Sequence, residues 1–242
     1  MTRGMYAAAG GMLVGLSRQD ILASNLANAN TPGFKLDRVS YGSFQRVMLP
    51  GVTDDNGQPA SILQSATLNA SQVDLRQGPL RETSGKLDLA VEGNGWFVVQ
   101  GPQGERYTRN GHFARGTDGS LTTSQGLAVL GEGGPIILPS EDVTVDMAGR
   151  VFSRGQVVGQ LRMVEMTSPE TLTKDGDSLY GGGNPVPTTS SQVRQGWLED
   201  SNTDTMRIMV EMMATMRGFE TSQRIIQAQD QTLQQTIDTV RR

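Results

Sequence analysis

The residues that could carry covalent chemistry are few in this sequence. It contains one histidine, His112, and no cysteine. The lack of cysteine excludes thiol catalysis, disulfides and cysteine-ligated zinc. A Ser-His-Asp arrangement would have to use His112, which lies in RYTRNGHFARG, a stretch typical of a hairpin. We therefore interpret His112 as a polar residue on a strand, and predict neither a metal site nor a cofactor.

Carboxylates could hydrolyse a glycosidic bond if two of them faced each other at a defined separation. The candidates lie near predicted turns, and their spacing does not pair them. Solvated surface charge is the simpler interpretation, and we predict that the chain is not an enzyme. A module that binds or cleaves the cell wall stays open as an alternative. The candidate carboxylates are Glu82, Glu92, Glu105, Asp118 and Glu199.

Motifs, net charge and apolar content argue against phosphate, nucleic acid and membrane as partners. The glycine-rich stretches EGNGWF and GEGGP do not stand between a strand and a helix, which favours turns over phosphate binding. A net charge of −4 gives no basic surface for nucleic acid. The sequence contains no run of about 18 apolar residues, the length that a membrane-spanning helix needs. The start, MTRGMYAAAGGMLVGL, continues in helical register without a convincing cleavage site, so we expect no cleaved signal peptide.

The stretch NLANANTPGFK, residues 25–35, combines a helix end with a sharp change of direction. Pro32 disfavours helix at the preceding residue, and Gly33 can take a positive φ. Asparagine side chains can bond to the local backbone as the helix ends. The pattern predicts a rigid corner that places an aromatic side chain beside the helix end. The corner residues are Asn25, Asn28, Thr31, Pro32, Gly33 and Phe34.

An apolar stripe with alternating steps of four and three runs through residues 4–28. This heptad spacing predicts a helix that packs against a partner helix. Gly10, Gly11 and Gly15 each lower the helix propensity by about 1 kcal/mol relative to alanine, so the helix needs that partner. The seam consists of Met5, Ala9, Met12, Leu16, Gln19, Ala23 and Leu26.

The same pattern closes the chain, from Thr203 almost to the last residue. Ser201 can cap the start of this helix, and Asn202 or Asp204 could serve instead. Both stripes could also pack into one globular core. They lie at the two extremes of a β-like chain, however, and we interpret them as assembly helices. The second seam consists of Met209, Met212, Met216, Phe219, Gln223, Ile226, Asp230, Leu233, Ile237 and Val240.

The middle of the chain, residues 86–166, consists of short β runs separated by turns about every ten residues, which is typical of an antiparallel β domain. The sequence therefore predicts an α+β fold in which long N- and C-terminal helices pair as a coiled-coil-like base beneath a central antiparallel β-rich domain. The predicted segments are an N-terminal assembly helix and corner loop (1–35), an extended connector (36–85), the β domain (86–186), a return segment (187–200) and a C-terminal assembly helix (201–242).

Three motifs resemble those of the bacterial flagellar basal-body rod and hook proteins. SNLANANTPGFK is similar to the family's N-terminal motif, and LDLAVEGNGWFVVQGPQGERYTRNGHF resembles the opening of its β domain. RQGWLEDSNTD resembles the C-terminal motif, although Thr203 stands where the family has a valine. The runs GLAVLGEGGPIILP and MATMRGFE are more similar to proximal than to distal rod members. The C-terminal motif falls on Gly196, Leu198, Glu199, Ser201 and Asn202.

The resemblance implies a structural subunit of the flagellar rod, most similar to the proximal rod. Such a subunit polymerises through its terminal helices into a hollow drive shaft that transmits torque from the motor to the hook. The implied partners are copies of the chain, other axial proteins and the flagellar type III export apparatus. The implied location is the basal body in the cell envelope, reached without cleavage of a signal peptide. A distal rod or hook-like axial protein is the alternative within the family.

Overall fold

The computed structural model describes residues 2–41, 46–53, 59–63, 68–140, 142–176, 178–188 and 190–240. The chain divides into two units, which we call the terminal unit and the central unit. The terminal unit comprises Met1–Leu26, Asp37–Gln72 and Asp204–Arg242, and the central unit comprises Ala27–Leu36 and Val73–Thr203.

The terminal unit contains two long helices, α1 (Thr2–Ala27) and α2 (Thr205–Val240). Asp204 is the N-cap of α2: its carboxylate accepts a hydrogen bond from the Arg207 N–H at 3.1 Å, and its carbonyl accepts one from the Ile208 N–H at 3.0 Å. These bonds satisfy donors that the first turn of a helix leaves unpaired. Of the three candidate caps in the sequence, Asp204 therefore performs this role.

Four strands of the terminal unit lie between the two helices in the sequence. They are β1 (Asp37–Tyr41), β2 (Arg46–Thr53), β3 (Pro59–Leu63) and β4 (Leu68–Val73). β1 pairs with β4, and β2 pairs with β3 in antiparallel register.

The predicted pairing of the two terminal helices as a coiled-coil-like base is wrong. Helices that pack along their lengths have axes about 8–10 Å apart, and the described parts of α1 and α2 show no such sustained approach. Large seam side chains stay in solvent instead, with Leu16 49% and Met216 58% exposed. A heptad pattern identifies an apolar face without identifying its partner, and the glycines of α1 leave little area for α2 to cover.

The central unit is built from short strands that form small antiparallel sheets around one larger sheet. Its strands are β5 (Leu80–Glu82), β6 (Leu89–Glu92), β7 (Gly95–Gly101), β8 (Gly104–Thr108), β9 (Phe113–Arg115), β10 (Leu121–Thr123), β11 (Leu130–Gly131), β12 (Gly134–Pro135), β13 (Val143–Val145), β14 (Arg150–Ser153), β15 (Gln156–Gln160), β16 (Met163–Met166), β17 (Thr173–Lys174), β18 (Leu179–Gly181), β19 (Pro185–Pro187), β20 (Gln192–Gln195) and β21 (Trp197–Glu199).

The larger sheet has six strands in the order β17-β18-β8-β7-β16-β19. Successive side chains of a strand point to opposite faces, and β7 is buried on both. Phe97 and Val99 contribute to one apolar cluster, while Trp96 and Val98 contribute to the other. β7 is thus the strand around which the core of the central unit is organised.

Two smaller pairings close the central unit near its C-terminal end. β20 pairs with β6, and β21 pairs with β5, both in antiparallel register. The second pairing brings Glu199 opposite Leu80. The segment that leads to α2 is therefore fixed to the segment that precedes β6.

One edge of the larger sheet is β19, which pairs with β16 so that Val186 lies opposite Glu165. Pro185 and Pro187 flank Val186, and all three residues are exposed. Proline has no N–H to donate, which is why it is confined to edges within sheets.

The α+β class is consistent with this arrangement of terminal helices and a strand-rich centre. Neither helix, within the residues that the structure describes, has the length and apolar character needed to cross a membrane.

Candidate functional site

The part of the corner from Ala27 to Leu36 belongs to the central unit. The Thr31 N–H donates to the Asn28 carbonyl at 3.1 Å, and the Thr31 hydroxyl donates to the Asn28 side-chain oxygen at 3.3 Å. The Phe34 N–H then donates to the Thr31 carbonyl at 3.2 Å. Pro32 lies inside this second turn and cannot continue a helix. Two consecutive turns therefore replace the helix at this point.

Gly33 is held where no other residue fits well. Its φ is +69°, and a Cβ at this position would lie 2.2 Å from the Asn110 backbone nitrogen. Its N–H donates to the Glu199 carbonyl at 2.7 Å. The close approach of two backbones and the positive φ both require glycine.

Phe34 is buried and carries a cation above its ring. The Lys174 ammonium lies 4.2 Å from the ring centroid, within the range of a cation–π interaction. The same ammonium donates to the Lys35 carbonyl at 2.6 Å. Lys174 therefore holds both the aromatic side chain and the backbone of the corner.

Three ionisable side chains meet beneath the corner and form what we call the corner cluster: Lys35, Arg109 and Glu199. The Lys35 ammonium lies 2.5 Å from Glu199 Oε1, and the Arg109 guanidinium lies 3.1 Å from Glu199 Oε2. All three side chains are at most 2% exposed. Each carboxylate oxygen thus has its own cation.

Backbone groups complete the coordination of these charges. Lys35 Nζ also donates to the Arg76 carbonyl at 2.8 Å, and Glu199 Oε1 accepts from the Gly78 N–H at 2.9 Å. Arg109 donates to the Gly93 carbonyl at 2.6 Å and lies over the Trp96 ring, 5.3 Å from its centroid. Buried charges are tolerated when they are paired and hydrogen-bonded in this way.

The environment of the cluster changes two pKa values. Burial lowers the pKa of Lys35, and the neighbouring Arg109 charge adds to that effect while Glu199 opposes it. Burial also lowers the pKa of Arg109, again against the attraction of Glu199. In both cases removal from water outweighs the opposite charge.

The Asn202 side chain bonds to three backbone groups, one at Leu36 and two in residues 74–76. Its oxygen accepts from the Leu36 N–H at 2.9 Å, and its NH₂ donates to the carbonyls of Asp74 at 2.9 Å and Arg76 at 3.1 Å. The Ser201 hydroxyl accepts from the Thr203 N–H at 3.2 Å. The Ser-Asn pair therefore fixes the chain just before α2 begins.

The remaining residues of the C-terminal motif shape its strand. Gly196 has a φ of +76° and donates its N–H to the Asp88 carbonyl at 2.8 Å. Leu198 is 5% exposed and belongs to β21. The positive φ before β21 is a conformation that glycine adopts readily.

Asn25 belongs to the terminal unit and closes a different loop. Its NH₂ donates to the Asp37 carbonyl and its side-chain oxygen accepts from the Asp37 N–H, both at 2.9 Å. Only 2% of Asn25 is exposed. It therefore links the last turn of α1 to the first residue of β1.

The predicted seam residues differ in exposure. Those that are half-buried are Met12, Leu26, Met212, Phe219 and Ile226. Those that are exposed are Leu16, Met209, Met216 and Ile237. The side chains of Met5, Leu233 and Val240 lie outside the described residues.

Lys35 and Arg109 have no role that the sequence alone predicts. Both lie inside motifs that resemble those of the rod and hook proteins, Lys35 in GFK and Arg109 in YTRNG. A charged residue is normally exposed, so residue type argued against a buried role. Both lie two residues from a glycine that permits close backbone approach, and this spacing is the feature from which a buried position could have been predicted.

His112 and four of the five candidate carboxylates have structural partners. His112 is exposed, and its Nδ1 lies 2.7 Å from Asp88 Oδ1. Glu92 pairs with Arg194 and Glu105 pairs with Arg162. Asp118 accepts the Ser120 N–H in a turn, and Glu199 belongs to the corner cluster. The corner cluster and its backbone hydrogen bonds hold residues 33–36, 76–78 and 199–202 together.

Three family models match the chain in sequence order. The model described as "Flagella basal body rod protein" matches residues 5–35, "Flagellar hook protein FlgE/F/G D1 domain" matches residues 90–153, and "Flagellar basal body rod FlgEFG protein C-terminal" matches residues 194–239. Lys35 and Glu199 lie in the first and the third of these regions.

Curated relatives match over nearly their whole lengths. The flagellar basal-body rod protein FlgF of Caulobacter vibrioides is 36% identical over 223 residues, covering 86% of this chain and 89% of the relative. FlgF of Salmonella typhimurium is 32% identical over 250 residues, covering 96% and 95%. The flagellar basal-body rod protein FlgG of Bacillus subtilis is 28% identical over 270 residues and is covered completely, as is this chain.

Proposed function

Because the chain belongs to the family of flagellar basal-body rod proteins and is a structural subunit of the rod, we propose that it forms part of the proximal rod. In this role it polymerises through the exposed faces of α1 and α2 with copies of itself and other axial proteins. The resulting shaft transmits torque from the motor to the hook.

The observation that carries the assembly role is the distribution of exposed apolar side chains. In the central unit, large apolar residues fill two buried clusters. On α2, a run of large apolar side chains is about half exposed or more, and these residues recur every three or four positions along one side of the helix. Solvated apolar stripes of this kind mark interaction surfaces. The run consists of Met206, Met209, Val210, Met213 and Met216.

The assignment to the proximal rather than the distal rod is supported by two features. In the family that the chain resembles, FlgF is the proximal and FlgG the distal rod protein, and FlgF relatives share 36% and 32% identity with the chain, against 28% for the FlgG of Bacillus subtilis. The stretch MATMRGFE within α2 also resembles proximal members.

We propose further that the subunit reaches the basal body through the flagellar type III export apparatus. In support of this, the chain belongs to the family of flagellar basal-body rod proteins. In cells that lack this export apparatus the chain should stay in the cytosol, which immunoblots of cell fractions would show.

Incorporation into the rod tests the proposed assembly surface. Met213→Glu places a charge on the exposed stripe, and Ala214→Glu places the same charge one position away on the same turn. Both positions are exposed, so neither change should alter the free energy of unfolding by more than about 0.5 kcal/mol. We expect Met213→Glu to prevent incorporation into purified basal bodies and to abolish swimming, while Ala214→Glu supports both. Normal incorporation of Met213→Glu would contradict the proposed surface.

A further inference from the structure

Sulfur chemistry in this chain belongs entirely to methionine, because the sequence has twelve methionines and no cysteine. Four of the methionines lie on α2, and each is between 47% and 76% exposed. They make up four of the five large apolar side chains in the exposed run of this helix, so the apolar character of the run depends on thioethers. We call them the methionine stripe: Met206, Met209, Met213 and Met216.

The methionine stripe forms one patch on the helix. Steps of three, four and three residues separate its members. A helix with about 3.6 residues per turn therefore places all four within about 80° of its circumference, and a rise of about 1.5 Å per residue makes the patch about 15 Å long. A dissolved oxidant can reach four sulfur atoms on the same side of α2.

Other methionines provide references within the same chain. Met163 and Met166 are buried in the two apolar clusters of the central unit. Met147 is 69% exposed in the turn between β13 and β14 and lies outside the stripe. Because the oxidant must touch the sulfur, Met147 should react like the stripe, whereas the buried pair reacts only when the fold opens.

The reaction is a two-electron oxidation by hydrogen peroxide. The thioether sulfur attacks one peroxide oxygen, an S–O bond forms as the O–O bond breaks, and the hydroxide that leaves takes the proton of the transferred hydroxyl to give water. The product, methionine sulfoxide, is polar, and a sulfoxide reductase returns it to the thioether. That step takes two electrons from a pair of thiols, which become a disulfide while the oxygen leaves as water.

We propose that the methionine stripe is a site of reversible oxidation by peroxide, and that its sulfoxide form prevents the subunit from assembling. The inference rests on the proposed function, which makes this stripe part of the assembly surface. Each sulfoxide places a polar oxygen on an apolar surface, and burial of a polar group without a hydrogen bond is unfavourable. Rod growth thereby becomes sensitive to the peroxide that a subunit meets before it assembles.

Peptide mass spectrometry of the folded, full-length chain tests the chemistry. Hydrogen peroxide is the probe, and the gain of one oxygen atom is followed at each methionine over time. We expect the stripe and Met147 to oxidise at least about tenfold faster than Met163 and Met166, because buried groups react only through opening of the fold. A sulfoxide reductase with a thiol should then remove the added oxygen from the stripe. A stripe that oxidises no faster than the buried pair, or that the reductase does not restore, overturns the proposal.

A peroxide pulse before assembly tests the consequence. The chain accumulates in cells that lack methionine sulfoxide reductases while export is reversibly blocked, and catalase ends the pulse before the block is removed. We expect stripe sulfoxide to be at least about tenfold rarer in the chains of purified basal bodies than in the chains left outside, a ratio that the loss of one apolar contact is sufficient to produce. Met147 sulfoxide should be equally frequent in the two pools, because Met147 lies outside the stripe.

The outcomes of the pulse separate the inference from the rod function. Equal stripe sulfoxide in the two pools, or equal depletion at Met147, overturns the inference while the rod function stands. If the untreated chain is absent from basal bodies, the rod function itself fails.

Two fourfold variants separate the polarity of the stripe from its sulfur. Leucine at all four positions keeps an apolar side chain of similar volume, and glutamine at all four places a polar group there, as oxidation does. We expect the leucine variant to be incorporated with or without the pulse, and the glutamine variant to be excluded from basal bodies. Met147→Gln, at an exposed position outside the stripe, is the matched control and should be incorporated.

Either variant can contradict the proposal. A leucine variant that is excluded only after the pulse would show that oxidation elsewhere blocks assembly, and an incorporated glutamine variant would show that assembly tolerates a polar stripe. Circular dichroism of the purified glutamine variant measures whether the helix is retained. If it is lost, Met213→Gln alone replaces the fourfold change, with the same expected exclusion.

Discussion

Lys35 and Glu199 are 164 positions apart in the sequence, yet the ammonium of one lies 2.5 Å from the carboxylate of the other and both are shielded from solvent. The Arg76 carbonyl, the Gly78 N–H and the Arg109 guanidinium are each hydrogen-bonded to one member of this pair. The pair thus ties the segment after α1 to the segment before α2. Both segments belong to the central unit.

Removal of the carboxylate should be strongly destabilising. Glu199→Gln leaves Lys35 and Arg109 as two buried cations without a counterion. We expect the free energy of unfolding of the central unit to fall by about 3–5 kcal/mol, the range found when one partner of a buried ion pair is lost. Denaturant unfolding followed by tryptophan fluorescence measures it. Glu220→Gln, at an exposed position of α2, is the control and should change little.

Gly33 and Gly126 separate backbone strain from steric clash. Both have a positive φ, +69° and +80°, but a Cβ at Gly126 meets nothing within 4 Å. Gly126→Ala should therefore cost about 1 kcal/mol for the conformation alone. Gly33→Ala should cost clearly more, because its Cβ would also displace the backbone at Asn110. Equal losses in thermal or chemical unfolding would show that the close approach at Gly33 is unimportant.

Thr203 carries a hydroxyl that is not used. Its Oγ1 is buried and has no hydrogen-bond partner within the described residues, at a position where the family motif has valine. Thr203→Val keeps the shape and removes the unpaired group, so we expect stabilisation of about 1 kcal/mol.

The matched control for this change is Thr215→Val. The Thr215 hydroxyl donates to the Glu211 carbonyl at 2.8 Å, so its removal takes away a bond that exists. We expect no stabilisation from the control. A destabilised Thr203→Val protein would mean that the hydroxyl has a partner after all.

The lowered pKa of Lys35 gives stability a defined pH dependence. Because the unfolded chain keeps this proton up to the ordinary pKa of 10.5 and the folded chain loses it earlier, the contribution of Lys35 to stability rises with pH between those two values. Below the lowered pKa both states are protonated and the slope vanishes. Unfolding free energies from neutral pH to pH 10.5 should show this slope in the wild type and lose it in Lys35→Met.

Lys86 provides a control of opposite sign. Its hydrogen bond to Asp142 raises the pKa of Lys86, so its small contribution is present at lower pH and is lost as pH rises through the raised pKa. Lys86→Met should therefore leave the Lys35 slope in place. Loss of the positive slope in Lys86→Met, with retention in Lys35→Met, would contradict the assignment.

Asn25 tests the link between α1 and β1. Asn25→Ala removes both hydrogen bonds to the Asp37 backbone, which should cost about 1–3 kcal/mol locally because buried polar groups lose their partners. We expect the central unit to keep its unfolding transition while incorporation into the rod falls. Asn30→Ala, at an exposed position, is the control. Loss of the central transition in Asn25→Ala would mean that this asparagine is needed for that unit's fold.

Local features of the sequence predicted much of this molecule. Pro32 and Gly33 indicated the corner because their backbone preferences act within a few residues. The β runs around Trp96 and Phe97 indicated the strand-rich centre for the same reason. The resemblance of three motifs gave the family, which the relatives confirm.

What the sequence did not predict depends on distant partners. Nothing local in GFK shows that Lys35 meets Glu199, because pairing across the fold is set by how β21 joins β5. The coiled-coil prediction failed for a related reason: a seam such as Met209 and Met216 shows which face is apolar, and the structure leaves that face in solvent. Three residues could cap α2, and only the hydrogen bonds distinguished Asp204.

The exposed edge at β19 has a consequence for how such a chain can exist at high concentration. A bare strand edge invites another copy to add its own strand, which leads to fibrils rather than ordered tubes. Pro185 and Pro187 remove two backbone donors from this edge, so strand addition there would lack the hydrogen bonds that sustain it. The subunit is thereby protected against aggregation along the sheet. The double substitution Pro185→Ser and Pro187→Thr restores the two N–H donors and should increase aggregation of the purified chain.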